Sequence, residues 1–189
     1  SMLSQEVLNE LNASGGASGS VPGSLIAVPA NQSAPSGYEL YQKGEPKELV
    51  WEEKAPVSVA RYAYDGVEVL DGKIYFVGGR SGSTNYNLLE SFDTNTMTWQ
   101  TLAPMTIARA GVASAANDGK LYAIGGFVNS PVSSVEVYDV STNSWTNGPS
   151  LPSVLNVSSS ISFQGKIYLV GGHNGSSAVN QVLCLDPVS

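Results

Sequence analysis

Apolar and polar positions fall into short blocks along this chain, and the blocks recur. Three near-continuous apolar runs, Lys73-Ile-Tyr-Phe-Val77, Lys120-Leu-Tyr-Ala-Ile124 and Lys166-Ile-Tyr-Leu-Val170, each follow an Asp-Gly or Gln-Gly pair and close on Gly-Gly. Runs this short and rich in β-branched and aromatic residues read as strands buried on both faces, not helices. The dipeptide before each run supplies the positive-φ positions of a tight hairpin turn. A small-residue stretch such as residues 110–116 precedes the turn. After the Gly-Gly come a polar Ser/Asn/Gly loop, an alternating strand such as residues 134–139, a Thr-Asn turn and a last strand carrying Trp. Each unit therefore reads as four short strands.

Several markers keep one beat. Gly78, Gly125 and Gly171, the first glycines of the pairs, are 47 and 46 residues apart, and Trp51, Trp99 and Trp145 are 48 and 46 apart. Ala55-Pro56 and Ala103-Pro104 follow two of the tryptophans, with Leu151-Pro152 slightly displaced in the third copy, and Arg61 and Arg109 lie five residues beyond their prolines. Paired glycines at the end of a central strand imply close backbone approach, so Gly78, Gly79, Gly125, Gly126, Gly171 and Gly172 are assigned with Trp51, Trp99 and Trp145 to the structural core of the repeat. Phe92 and Tyr138 stand seven residues before their tryptophans, whereas Leu185 holds the corresponding place in the third copy.

This order of Gly-Gly, aromatic and Trp at a period near ~50 residues resembles the kelch repeat. The resemblance covers about residues 49–187 and implies an all-β protein, a kelch-type β-propeller in which each repeat forms one four-stranded blade. In those terms residues 49–52 are a last strand without its first three, 61–102 and 109–147 are complete blades, and 156–187 supply three strands. Closed propellers have about 4–8 blades. We therefore expect a homodimer in which each chain lends strand 49–52 to its partner's last blade, giving a six-bladed ring; the alternative is a piece of a longer propeller.

Residues 1–20 read as an amphipathic helix over 3–12, with Ser4 as its N-cap, and a flexible Gly/Ser/Ala linker. Residues 21–48 form an N-terminal arm whose Val21-Pro-Gly-Ser and Ser33-Ala-Pro-Ser-Gly-Tyr38 segments resemble the collar-type motif of phage-tail and bacterial surface fibres. That resemblance implies an extracellular or surface-associated location. The alternative is an arm that packs on the propeller.

Composition narrows the function classes. Charged residues make up 13% of the chain, against about 25% in an ordinary domain, as sheets buried on both faces require. The net charge of −7 argues against nucleic acid as a partner. No apolar run reaches the roughly 20 residues of a membrane-spanning helix. One Cys and one His give no internal disulfide, no metal cluster and no expected cofactor.

In kelch propellers the loops joining strands two and three, and those joining successive blades, gather on one face that commonly binds ligand. The resemblance places Arg80, Tyr86, Phe127, Asn129, His173 and Asn174 on loops of the first kind, and Arg61, Arg109 and the neighbourhood of Asn156 on the second. Arg61 and Arg109 match a family position from which an arginine often points into the mouth; the alternative is a structural bridge between blades. Arginine and aromatic side chains on loops suit a recognition surface. The tryptophans are expected in the core and not as sugar platforms. Cys184 is expected to be a small buried hydrophobe, and Asp93, Asp139 and Asp186 to cap turns. No paired carboxylates or nucleophilic triad can be assigned. The leading expectation is a non-enzymatic module binding a protein segment or glycan, the alternatives being a sialic-acid-mutarotase-like enzyme and a purely structural fibre module.

Overall fold

The computed structural model describes residues 50–63 and 66–187, together with the backbone of two short strands, Leu25–Ile26 (β1) and Glu39–Leu40 (β2). The chain divides into residues 1–52 and 53–189. In the first unit β1 and β2 pair in parallel within the arm. The helix expected over residues 3–12, the linker after it and Leu49 lie outside the described residues. Residues 50–52 carry no strand, and Trp51 is fully exposed.

The second unit is built from three antiparallel sheets. Blade 1 runs β3 (Val67–Leu70), β4 (Lys73–Val77), β7 (Leu89–Asp93) and β8 (Thr98–Thr101), in that spatial order. A small hairpin, β5 (Arg80–Ser81) with β6 (Thr84–Asn85), interrupts it. Blade 2 repeats the order with β9 (Ala113–Asn117), β10 (Lys120–Ile124), β11 (Val135–Asp139) and β12 (Ser144–Asn147). Blade 3 has three strands among the described residues: β13 (Ser159–Phe163), β14 (Lys166–Val170) and β15 (Val182–Leu185). The all-β, kelch-type organisation expected from the repeat is what the described residues show.

The turns form as their residue types dictate. Asp71-Gly72, Asp118-Gly119 and Gln164-Gly165 all have positive φ at both positions, between 48° and 75°, the geometry that lets a two-residue hairpin match strand twist. Asp93 and Asp139 cap the next turn as expected: Asp93 Oδ1 accepts from the backbone N–H groups of Asn95 (2.8 Å) and Thr96 (3.1 Å), and Asp139 Oδ1 from Ser141 (2.9 Å). Asp186 forms an ion pair with Lys166.

Strand alternation divides each sheet into two packed faces. Tyr75, Val77 and Leu89 of blade 1 meet Leu121, Ala123 and Tyr138 of blade 2; on the opposite face Ala115, Tyr122 and Ile124 of blade 2 meet Ile167 and Leu169 of blade 3. The outermost strands are tied by tryptophan. Trp99 and Trp145 pack on the aromatic opposite them, Phe92 and Tyr138, with ring centroids 5.2 Å apart in both blades. Their indole N–H groups donate over 2.7 Å to the carbonyls of Ala55 and Ala103. Leu185 sits at the third aromatic position, opposite Ile167.

Each end of the row presents an apolar face. Val67 and Val69 are exposed on blade 1, and Ile161, Phe163, Val170 and Val182 on blade 3. Cys184 belongs to that second face and is exposed, against the expectation of burial. Its counterpart Val137 is covered because blade 3 packs on blade 2; no blade covers Cys184 among the described residues.

Candidate functional site

The loop face is built on the glycine pairs. Gly78 and Gly79, like their counterparts, have φ near +60° and +100°, so the chain turns sharply and the next residue forms a two-residue bridge to the incoming segment. Arg80 pairs with Tyr62, Phe127 with Ala110 and His173 with Asn156. The N–H of each first-named residue reaches its partner's carbonyl at 2.8, 2.7 and 2.9 Å. Arg80, Phe127 and His173 are therefore the same position in three successive blades. Loops at that position are ordered locally: Arg80 Nε donates to the Gly82 carbonyl (2.6 Å), His173 Nδ1 accepts from Gly175 N–H (3.0 Å), and Asn174 Oδ1 accepts from Ser176 and Ser177 N–H. Asn85 Nδ2 ties the blade 1 hairpin to the Val128 carbonyl of blade 2 (2.8 Å). Tyr86 is half-buried, and its carbonyl accepts from Arg109 N–H; Asn129 is exposed at a loop tip.

Arg61 and Arg109 are turned inward, with side chains fully buried. Arg61 Nη1 reaches Glu90 Oε2 (2.5 Å), its Nε reaches the Gly78 carbonyl (2.8 Å), and its guanidinium lies 4.1 Å from the centre of the Phe76 ring. Arg109 forms an ion pair with Glu136 and donates through Nη1 to the Gly125 and Ser134 carbonyls (both 2.9 Å). Each carboxylate also accepts a backbone N–H from the incoming segment, Ser58 for Glu90 and Thr106 for Glu136. Burial pushes the Glu90 carboxyl up, but hydrogen bonds from Ser58 and Arg61 more than offset it and hold it below the usual glutamate range. These pairs fasten the incoming segment to its own blade.

Blade 3 reaches the same end without charge. The bridge register makes Leu155 the counterpart of Arg109, and the strand register makes Leu183 the counterpart of Glu136. Leu155 is buried, with Leu183 packed in the same cluster. Glu90 and Glu136 are site residues that the arginine spacing alone did not expose. Their signal was present: they are 46 residues apart, the period of the repeat.

Arg80, Ala110, Gly111, Phe127, Asn156 and Val157 line one depression of about 190 Å³ on this face, drawing on three blades. Asn156 Oδ1 is buried without a hydrogen-bond partner among the described residues. Val157 has φ +47°, where its counterpart Gly111 has +57°. A β-branched residue in the left-handed region is strained; the N–H of Val157 donates to the Gly111 carbonyl (2.9 Å) and pins it there. His173, Asn174, Asn129 and Tyr86 lie outside the lining of this depression. No group of three His, Cys, Asp or Glu side chains able to hold a metal occurs among the described residues.

The family model described as "Kelch motif" matches residues 63–106, 108–152 and 158–189. The chain is 38% identical to mouse Kelch-like protein 8 over 72 residues, 37% of this chain and 11% of that protein. It is 28% identical to Spermatocyte protein spe-26 of Caenorhabditis elegans over 156 residues, 76% of this chain and 27% of that one. Alpha-scruin of Limulus polyphemus is 40% identical over 75 residues, 36% of this chain and 8% of that protein. The matched stretches thus span between 8% and 27% of these relatives' length. With three motif matches in phase with the three sheets, the chain belongs to the kelch-repeat family.

Proposed function

We propose that this chain is a non-enzymatic protein-interaction module that binds an extended, acidic peptide segment across the depression between its loops. The observation that carries this reading is the convergence of Arg80, Phe127 and Asn156 from three blades on one depression. A guanidinium for a carboxylate, a ring for an apolar side chain and an amide for the backbone make a recognition set. Arg61 and Arg109 support the surface from beneath and do not contact the ligand. A glycan is the competing ligand.

Selecting a random peptide library and a glycan array against the chain separates the two. The expected outcome is a set of peptides carrying Asp or Glu, with R80A/F127A reducing their affinity at least about tenfold. Glycan binding without peptide binding would transfer the site to the competing ligand, and unchanged peptide affinity in R80A/F127A would remove the depression as the site.

The second part of the reading concerns assembly. Contiguous apolar faces at both ends of a row of three blades favour self-association of two chains into a six-bladed ring. Light scattering of the purified chain is expected to give a dimer; a monomer at all concentrations would end this part of the reading.

A further inference from the structure

We propose that the open side of blade 3 is a socket for residues 51–61 of a second copy of this chain, held by contacts that blades 1 and 2 already make with their successors. The proposal rests on the self-association reading above and assigns its register. Its basis is that three contacts occur twice within the chain, and in each the third instance shows its receiving half alone among the described residues.

The first contact is a backbone hydrogen bond. The second glycine of each pair donates to the residue that opens the next blade: Gly79 N–H to the Arg109 carbonyl at 3.1 Å, and Gly126 N–H to the Leu155 carbonyl at 2.8 Å. Continued by one blade, Gly172 N–H is aimed at the carbonyl of Arg61 in the second copy.

The second contact is steric. A methyl group on Gly78 would stand 2.7 Å from the Arg109 carbonyl oxygen, and one on Gly125 would crowd that of Leu155 more closely still. On Gly171 the nearest atom would be Val179 O of its own blade, at 3.6 Å. The glycine is kept, and the carbonyl that would crowd it belongs to the next blade.

The third contact is the indole anchor. Trp99 donates to Ala55 and Trp145 to Ala103. Each acceptor lies four residues after the preceding tryptophan, so the next acceptor in the series is Pro149 and the remaining donor is Trp51. Beside Pro149 lies an apolar cavity of about 140 Å³ whose lining includes Ile124, Leu151, Leu183 and Leu185. This is the scale of the roughly 150 Å³ apolar cavity that accepts benzene. Leu185 occupies the position from which Phe92 and Tyr138 pack on their tryptophans.

Chain reach keeps the same chain's Trp51 out of this socket, so in the proposed assembly Trp51 comes from the second copy. Trp51 is four residues from Ala55, which Trp99 holds at blade 1. Four extended residues span at most about 14 Å, whereas two sheet spacings, with blade 2 between, amount to about 20 Å.

Sedimentation equilibrium on the 189-residue chain and three variants tests the register. Gly171→Ala and Gly165→Ala carry a similar left-handed backbone cost, with φ +62° and +75°, but Gly165 has no heavy atom within 4 Å of an added methyl. The expected result is a wild-type dimer that G171A weakens at least about tenfold while G165A stays within about twofold. Trp51→Ala is expected to weaken it likewise, and tryptophan emission of the wild type to shift to the blue as concentration rises. A stable dimer in which G171A matches G165A and W51A has no effect would overturn the socket and leave self-association standing. A monomer at every concentration would overturn both.

Discussion

Arg109 and Leu155 occupy one position in successive blades, and each arrived with a matching partner. Arg109 faces Glu136, while Leu155 shares a cluster with Leu183. Removing one member of a buried ion pair leaves an uncompensated charge and costs about 3–5 kcal/mol, whereas replacing both with packed apolar groups is often close to neutral. We therefore expect R109L alone to destabilise by about 3–5 kcal/mol, and R109L/E136L to recover only part of that loss, because the Thr106 N–H and the Gly125 and Ser134 carbonyls lose these side-chain partners. Urea denaturation of the two singles and the double measures the coupling; additive losses would show that blade 3's solution does not transfer. The turn aspartates act in the same local way. Backbone hydrogen bonds from Asn95 and Thr96 lower the Asp93 carboxyl, and the Ser141 hydroxyl, with backbone bonds after it, lowers Asp139. A carboxyl lowered by folding stabilises fully above its unfolded value of about 3.9 and loses that contribution as pH falls through the lower folded value. D93N/D139N is expected to lower stability slightly at neutral pH and to flatten the acid side of the profile below about pH 4. Thermal melts across that range read it.

At the scale of the element, each hairpin tests whether its residue suits its dihedral angles. The third-to-fourth-strand turn places Met97 at φ +57° in blade 1 and Asn143 at +49° in blade 2. Asparagine tolerates this region, while methionine is strained by about 1–2 kcal/mol. Met97 is 46% exposed, so little packing is lost with it. Met97→Asn should raise stability by about 0.5–1 kcal/mol, seen as a higher denaturation midpoint with unchanged slope. The Asp-Gly turns and blade 2's Thr142-Asn143 turn were legible in the sequence because those residue types carry the left-handed preference locally, whereas Met97 in blade 1 gives no such signal. The three sheets were legible for a similar reason, since the apolar runs and Gly-Gly pairs repeat in phase. Glu90 and Glu136 were harder to see. A glutamate in an alternating strand reads as solvent-facing, and only the arginine brought in from the preceding loop makes it a buried partner. Cys184 failed for the complementary reason: its alternation is that of a covered position, but cover depends on a neighbouring sheet. The depression was partly legible. The repeat puts Arg80, Phe127 and the neighbourhood of Asn156 on one loop face, and the bridge register is what joins them, with Ala110, Gly111 and Val157, into a single depression.

For the whole molecule, the decisive feature is that its two ends present successive faces of the same repeating interface. Between blades 1 and 2 the Glu68 carboxylate accepts from the Ser114 hydroxyl at 3.2 Å. Strand register makes Ile161 the counterpart of Glu68, and Val67 the counterpart of Ser114. In the proposed ring of two copies Ile161 of one chain would therefore meet Val67 of the other, twice, by symmetry. Both are more than half exposed in the single chain, so charging them leaves the folded monomer intact. I161K buries a lysine against apolar groups at both junctions, and V67E does the same with a glutamate; each variant alone is expected to be monomeric. Mixed, the two variants set the introduced ammonium opposite the introduced carboxylate at one junction and leave the other junction unaltered, so a one-to-one dimer should return. Melting temperature should rise with protein concentration for the wild type and for the mixture but not for either variant alone. Dimerisation of I161K by itself would show that the two ends do not meet in this register. Failure of the mixture to associate, with both variants folded, would place the contact elsewhere on these faces.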